Sequence, residues 1–433
     1  MRQPSHATAK SPEAARDGLE YSGKQEAKKR PLKILLLNTL YHPNIIGGAE
    51  RSTKFLAESL VGKGHDVSVV TLSPGKEWTQ VVNGVRVQYV EVRNLYWPFQ
   101  EASPHAASKA LWHAVDTYNP WMARVLGRIL DLERPDVVNT HNIAGFSVAV
   151  WHAIKARGLP LVHTMRDQYL LCPRSTMFTN GSACKSQCGT CRLYAFPRMK
   201  MTRVVDAVTG ISQFIIKKHL RYGCFDNATQ HVIYNGYERP AGVMRSNEAG
   251  AHPGPLRFGY LGRLHPSKGV DRLIDAFGRL ETADAELWIA GAGRQRDEAT
   301  LKSLIGERRN VRWMGFVKPE SLLSELDVLL VPSIWDEAFG RVVVEAFAFG
   351  VPVIGSSRGG IPELVTDETG WIFDPDEPGA LSTALRRCLQ ERSKLVTMGA
   401  SALERSQRFT NEASVRGYLE VYEGVRQPVR RRV

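Results

Sequence analysis

The sequence predicts an α/β protein built from two doubly wound domains, and three observations predict it. Short apolar strands alternate with amphipathic helical stretches from residue 32 onward, the pattern of parallel sheets covered by helices. The alternation breaks once, at the Gly-, Pro- and Ala-rich stretch "NEAGAHPGPLR" of residues 247–257, and a second series then begins. At 433 residues the chain is long enough for two such domains with real cores.

Taken in order, "LKILLLNTL" reads as a strand from about Leu32 to Leu40, followed by the loop "YHPNIIGGAE" and the amphipathic helix "RSTKFLAESLVGKG". The strands "HDVSVVTL" and "VRVQYVEV" come next, then a long helical region over about 103–133. The strand "DVVNTHN", a helix near 145–157, and the strands "PLVHTM" and "AVTGIS" complete the first series. The second series reads "RFGYLG", a helix at 269–280, "AELWIAGAG", a helix at 294–306, "VRWMGF", "DVLLVPS", a short helix opening near Gly340, "PVIGS" and "GWIFD". The C-terminal stretch is helical. The expected boundaries are a disordered basic tail at 1–31, a first domain at 32–246 with a Cys-rich loop at 172–191, a linker at 247–257, a second domain at 258–410, and a C-terminal helix and basic tail at 411–433. Two doubly wound domains place a cleft between the carboxyl ends of their strands, where such sheets bind ligands.

Composition narrows the function classes. Hydrophobic residues at 43% and charged residues at 23% describe a soluble globular chain. No apolar run approaches the roughly 18 residues of a membrane span. The N-terminus is polar and lacks the apolar core of a secretory signal, so a cytoplasmic place is expected. The net charge is +13, but residues 1–33 hold eight Lys/Arg against four Asp/Glu, and "VRQPVRRRV" adds four more cations. With eight of the thirteen charges in the tails, the body is only mildly basic, which argues against nucleic-acid binding. The surplus suits a phosphorylated substrate or peripheral association with the inner face of an anionic membrane. "CRLYAFPRMKMTRVVD", with Arg192, Arg198, Lys200 and Arg203 among aromatic residues, and "NLYWPFQ" are candidates for that contact; an ordinary packed helix is the alternative.

The second half carries the sharper chemistry. In "GYLGRLHPSKGVDRLIDAF" a strand ends at Gly262, and Arg263 and Lys268 offer two fixed cations at its carboxyl end, suited to a diphosphate. In "DEAFGRVVVEAFAFG" the amides from Phe339 to Val342 open a helix and form an anion site. Glu337 lies just before them, and Glu345 stands a turn inside an apolar run. A buried carboxylate costs several kcal/mol unless something pairs with it. The two hydroxyls of a ribose can supply the pairing for Glu345, and so can a neighbouring Arg such as Arg341.

At these residues the chain resembles the retaining glycosyltransferases of family 4, which have the two-domain fold called GT-B, in a subgroup with a Cys-rich insertion in the N-terminal domain. The resemblance covers most of residues 33–425 and rests on "GGAE" at 47–50, "VIYNGYE" at 232–238, "YLGRLHPSKGVDRLIDAF" at 260–277, "LWIAGAG" at 287–293 and "EAFGRVVVEAFAFGVPVI" at 337–354. It implies two Rossmann-like domains and transfer of a hexose from a UDP- or GDP-sugar to a glycan or lipid-linked acceptor, as in surface polysaccharide or glycolipid synthesis. By the same resemblance, Arg263 and Lys268 bind the diphosphate, Glu345 the ribose, and Glu337 hydroxyls of the transferred sugar. Amides of Ala338, Phe339 and Gly340 lie against sugar and phosphate, and Gly47 and Gly48 form the glycine loop that closes over the diphosphate. His163 matches a histidine near the sugar. Relatives with cysteines here read His-Asp-Tyr shortly before Cys-Pro, where this chain has "RDQYLLCP", so Arg166 takes part of that role, and His141 at a strand end is a third candidate. No cofactor is needed for the chemistry, since the two cations replace a divalent metal.

Three rival functions are weaker. An oxidoreductase needs Gly-x-Gly-x-x-Gly straight after a strand, and "GAGRQR" lacks the third glycine. A nucleotide-sugar epimerase or sugar phosphorylase on the same fold remains the alternative enzyme. A degenerate, non-catalytic relative is opposed by intact Glu337, Glu345, Arg263 and Lys268. Separately, Cys172, Cys184, Cys188 and Cys191 are spaced C-x11-C-x3-C-x2-C. Four thiolates from one loop can hold a tetrahedral zinc or, less favourably, an iron–sulfur cluster; reduced thiols and disulfides are the other readings.

Overall fold

The computed structural model describes residues 30–45, 47–99, 105–245 and 249–426. The expected N-terminal tail falls outside the described residues apart from Arg30 and Pro31, as do the start of the expected linker and the basic end past Arg426. In chain order the first half reads β1 (Lys33–Leu37), α1 (Gly48–Gly62), β2 (Asp66–Ser73), β3 (Trp78–Val82), β4 (Val85–Glu91), α2 (Ala106–Thr117), α3 (Pro120–Glu133), β5 (Val137–Thr140), α4 (Ala149–Lys155) and β6 (Leu161–Met165). It continues with a small hairpin of β7 (Phe178–Thr179) and β8 (Ser182–Ala183), then α5 (Gly189–Met201), β9 (Ala207–Gly210), α6 (Gln213–Arg221) and β10 (Thr229–Val232). The second half reads β11 (Leu256–Leu261), α7 (Val270–Gly278), β12 (Ala285–Ala290), α8 (Gln295–Ile305), β13 (Val311–Gly315), α9 (Pro319–Leu323), β14 (Val328–Val331), α10 (Arg341–Phe347), β15 (Val353–Ser356), α11 (Ile361–Leu364) and β16 (Gly370–Phe373). Helices α12 (Ala380–Gln390), α13 (Leu395–Ser406) and α14 (Asn411–Arg426) end it.

The strands form two large sheets. The first runs β10-β9-β6-β5-β1-β2-β4-β3, parallel except for β3 against β4, and the second runs β13-β12-β11-β14-β15-β16, all parallel. Strand order reverses between β1 and β5 in the first sheet and between β11 and β14 in the second. Those reversals open crevices at the carboxyl ends, the general ligand position of doubly wound sheets. The expected architecture of two Rossmann-like domains is therefore the observed one.

Local sequence accounts for the elements. Central strands such as "VVNT" and "LVHTM" are buried at every position, because helices cover both faces of the sheet. In α7 the buried Val270, Leu273, Ile274 and Phe277 fall at helical spacing on one face, and Gly269 ahead of it takes φ 68°. The long helix expected over 103–133 is two helices. Asn119 accepts the amide protons of Trp121 and Met122 and Pro120 fills the first helical position, so "NP" starts a new helix instead of continuing the old one. Strand β3 was not expected. It forms a two-residue hairpin with β4 through Asn83 and Gly84, at φ 50° and 80°.

Helix α14 returns to the first sheet. Val415, Tyr418, Val421 and Tyr422 share a core with Ile34, Leu36 and Val162, and the Asn139 side-chain amide donates to the Tyr422 hydroxyl at 2.6 Å. Another core runs from one sheet's helices to the other's. Trp151 and Phe225 of the first half belong to the same cluster as Phe339, Val343 and Phe347 of the second, with Tyr234 packed on both Phe339 and Phe409.

Candidate active site

The loops that leave β11 and β14 meet at the strand-order reversal of the second sheet. After β11 the chain turns through Gly262 and Arg263 to a short helical turn at Pro266–Lys268. After β14 it carries Ser333, Trp335 and Glu337. Lys268 Nζ donates to Glu337 Oε1 at 2.5 Å, and Ser333 Oγ donates to the same oxygen at 2.7 Å. The Lys268 ammonium also lies over the Trp335 ring, 5.1 Å from its centroid. Burial pushes the Glu337 carboxyl up, but the Lys268 charge and the Lys268 and Ser333 hydrogen bonds outweigh it, and the net shift is downward. The carboxylate is thus kept ionised in a nearly closed position, 9% exposed.

Glycines let these loops approach backbone to backbone. A Cβ on Gly291 would lie 1.8 Å from the Gly262 carbonyl oxygen, and one on Gly359, at φ 64°, 2.0 Å from that of Glu337. Gly360 N donates to the same Glu337 carbonyl at 2.8 Å. "GAG" at 291–293 is therefore a packing feature of the Arg263 loop, and "RGG" at 358–360 is its counterpart behind Glu337.

Glu345 is buried in α10, as expected, and the partner it has here is Arg341, whose Nε donates to Oε1 at 2.7 Å. Arg341 reaches on to Ser52 Oγ of α1 at 3.2 Å. The glycine loop before α1 faces the same place. Gly47 N donates to Glu50 Oε2 at 2.7 Å, and a Cβ on Gly47 would stand 3.6 Å from Arg263 Nη2. A Cβ on Gly48 would stand 3.6 Å from Arg341 Cδ. Lys268 and Glu337 are thus paired in the loops of the second half, Gly47 and Gly48 of the first half approach Arg263 and Arg341, and Phe339 is a core residue packed on Tyr234 and Phe409.

The histidines do not join them. His163 is 4% exposed in β6, its Nδ1 2.9 Å from Thr140 Oγ1 and its ring between Trp151 and Phe225. Burial, with His219 nearby, drops it to about 3, so it is a neutral core residue, against its expected place beside a sugar. His141 is buried too and held neutral by burial and by Arg166, whose Nε donates to His141 Nδ1 at 3.0 Å. Arg166 also donates to Asn235 Oδ1 at 2.8 Å and lies in the field of Glu50 and Arg341. Of the three candidates it is the one whose charge is coupled to the cleft.

The chain matches the description "Glycosyltransferase Family 4" over residues 46–239 and "Glycosyl transferases group 1" over residues 246–405. It is also 35% identical over 334 residues to a Klebsiella pneumoniae protein described as an uncharacterized 42.6 kDa protein in the cps region, covering 77% of this chain and 87% of that one. The chain belongs to glycosyltransferase family 4. As a family 4 member it is a glycosyltransferase enzyme. An uncharacterized glycosyltransferase of Methanocaldococcus jannaschii is 28% identical over 83% of this chain and 90% of its own length. Among solved structures, sucrose-phosphate synthase from Thermosynechococcus elongatus superposes with a TM-score of 0.71 at 19% identity, covering 91% of this chain and 99% of that one. An Anabaena protein solved in complex with UDP-glucose gives 0.67 at 21% identity, over 91% and 100%. These likenesses establish the GT-B fold.

Several residues of the glycosyltransferase cleft escaped the sequence reading. Asp336, Gly359, Gly360 and Ser52 act through contacts between segments far apart in the chain, and Ser333 through Glu337 four residues on. Glu50 had a local signature, since Gly-x-x-Glu at 47–50 is the spacing by which a side chain reaches back to cap its own helix. A groove of about 770 Å³ lined by Trp121, Arg124, Arg128, His152 and Arg157 shares no residue with the cleft. Arg198, expected on a membrane-facing stretch, is instead fully buried in an ion pair with Asp116 at 3.1 Å. Leu193, Phe196, Arg192, Lys200 and Arg203 of that stretch are exposed. Among the described residues, no helix is long and apolar enough to cross a membrane.

Proposed function

We propose that this glycosyltransferase transfers a hexose with retention from a UDP- or GDP-sugar to a glycan or lipid-linked acceptor. One observation carries the reading: Lys268, Ser333 and Glu337 form a hydrogen-bonded charge set at the strand-order reversal of the second sheet, with the Gly47 backbone against Arg263 across the cleft. On this reading Arg263 and Lys268 face the diphosphate and stabilise the charge that develops as it leaves. Glu337 accepts hydroxyls of the sugar, and Glu345 exchanges its Arg341 contact for the ribose hydroxyls. The bond from the anomeric carbon to the phosphate oxygen breaks while the bond to the acceptor oxygen forms on the same face. The acceptor proton passes to the departing phosphate, and no protein carboxylate forms a covalent intermediate. The UDP-glucose complex of the Anabaena structure supports the donor class, and the exposed Leu193 and Phe196 beside Lys200 and Arg203 support an acceptor presented at an anionic membrane.

The test is a panel of UDP-, GDP- and ADP-sugars with anionic vesicles present, following nucleotide release and the anomeric configuration of the product by NMR. Transfer from a UDP- or GDP-sugar with retained configuration is expected, together with vesicle binding that rising salt reverses. An inverted product, or isomerisation of the sugar nucleotide without transfer, overturns the reading. A protein that stays unbound to vesicles at low salt refutes the membrane part alone.

A further inference from the structure

The long loop between β6 and α5 holds Cys172, Cys184 and Cys188, and the first turn of α5 holds Cys191, so four of the six cysteines fall in one stretch. Cys172 and Cys191 are buried, Cys184 is half-buried and Cys188 is exposed. The Cys191 thiol stands against both the Cys172 and the Cys188 thiols, and Cys184 lies in the field of Cys172 and Cys188. Cys191 thus stands next to Cys172 and Cys188, which are 19 and 3 positions before it, and Cys184 is within their electrostatic reach. The backbone that brings them there is contorted. Ser175, Met177 and Asn180 all take left-handed conformations, at φ 60°, 44° and 48°, next to Gly181 at 73°. Such conformations cost of order 1 kcal/mol each for residues with a side chain. Tyr169, Leu170, Leu171, Cys172 and Met177 anchor the start of the loop in the core, whereas from Phe178 to Cys188 no residue is buried and the only regular structure is the two-residue pairing of β7 with β8.

We propose that Cys172, Cys184, Cys188 and Cys191 together bind one structural zinc ion. Four thiolates in a tetrahedron are a standard closed zinc site, and binding would add folding free energy to the exposed Phe178–Cys188 part of the loop. The step balances as four thiols and one Zn²⁺ giving a tetrathiolate centre of net charge −2 and four released protons. Cations stand near that charge, since Arg174 and Lys218 both act on Cys184. Among the described residues no group of three or more His, Cys, Asp and Glu side chains is placed to hold a metal ion as it stands. On this proposal zinc binding draws Cys184 and Cys188 onto the Cys172–Cys191 pair. The loop matters to the cleft through its neighbours. Gln187 Nε2 donates to the Leu171 carbonyl at 2.7 Å, Gln168 Nε2 donates to the Asp336 carbonyl at 3.3 Å, and Lys218 pairs with the Asp336 carboxylate at 2.7 Å, one residue before Glu337.

The experiment is elemental analysis and thiol counting on the full-length protein purified without chelator. About one zinc per chain is expected, with only Cys224, Cys388 and no loop thiol reactive after unfolding in the absence of chelator, and four further thiols released when a strong chelator is added. Replacing the metal with cobalt(II) should give the intense visible absorption of tetrahedral thiolate coordination. Cys188→Ser with Cys191→Ser should abolish the metal. Metal-free protein with four reactive loop thiols, a mass showing a Cys172–Cys191 or Cys188–Cys191 disulfide, an iron–sulfur spectrum, or zinc retained by the double-serine variant each overturns the proposal. The native-protein measurements decide it even if that variant does not fold.

Discussion

Lys268→Ala tests the charge set most directly. The ammonium is 2.5 Å from Glu337 Oε1, with the two side chains 24% and 11% exposed. At an effective dielectric near 20 the gross attraction at this distance is about 6 to 7 kcal/mol, most of it offset by desolvation of both groups. Two losses follow from removing the amine. The first is in the fold: Glu337 keeps only Ser333, its burial is no longer outweighed, and its carboxyl shifts up towards protonation. A stability loss of about 1 to 3 kcal/mol is expected, a few degrees in melting temperature per kcal/mol for domains of this size. The second is in the reaction, where one fixed cation on the leaving group is gone. Turnover should fall about 10²-fold, equivalent to about 2.7 kcal/mol of transition-state stabilisation. A cycle with Glu337→Gln separates the two. The double variant removes the orphaned carboxylate and should regain most of the melting temperature, yet it should stay at least as slow as Lys268→Ala. Initial rates of nucleotide release, beside thermal melts of all four proteins, give both quantities. Near-normal turnover in Lys268→Ala removes the lysine from the mechanism, and recovery of turnover in the double variant means that it acts only by holding Glu337.

Glu345→Ala should weaken binding of the free nucleoside diphosphate by about 10- to 100-fold, the worth of hydrogen bonds from two hydroxyls to a carboxylate, as measured by titration calorimetry. Unchanged affinity would mean that Glu345 serves only Arg341. Acid should unfold the protein early, because His163 and His219 are buried and neutral, at about 3 and about 4 against an ordinary 6.5. With folded values below the unfolded one, their contribution is complete above pH 6.5 and is lost as pH falls, up to about 2 kcal/mol for each by pH 5. A melting temperature flat between pH 7 and pH 5 would contradict those burial-driven shifts.

How much was legible in the sequence depended on whether the cause was local. The alternation of strands and helices, the break before β11, and the clustering of Arg263, Lys268, Glu337 and Glu345 follow from periodicity and from charges placed after apolar strands. Two further local signals were present and unused. "YNP" at 118–120 contains a cap followed by proline, and "NG" at 83–84 between alternating strands is the usual hairpin turn. His163 was not recoverable this way. In a strand buried on both faces the apolar run gives no alternation, so nothing in "LVHTM" says whether the histidine points to Phe225 or to the cleft. The return of α14 to the first sheet and the pressing of Gly359 onto Glu337 are equally hidden, being contacts between segments with no sequence neighbourhood to betray them.

The same distinction bears on how the cleft works. Lys268, Ser333, Glu337 and the Gly360 amide behind it all belong to the second sheet's loops, so that charge geometry is assembled without any atom of the first sheet's side. What the first side adds are contacts to the same loop's flanks. Ser212 Oγ donates to the Ala338 carbonyl at 2.6 Å, Lys218 and Gln168 hold Asp336, and Glu363 accepts the amide protons of Gln213 and Phe214 at the start of α6. Separating the two sides would break these bonds, along with Arg341–Ser52 and the approach of Gly47 to Arg263, and would leave the Lys268–Glu337 pair intact. The Lys268–Ser333–Glu337 charge set is thus preorganised within the second sheet's loops, and the first side holds the flanks of the same segment.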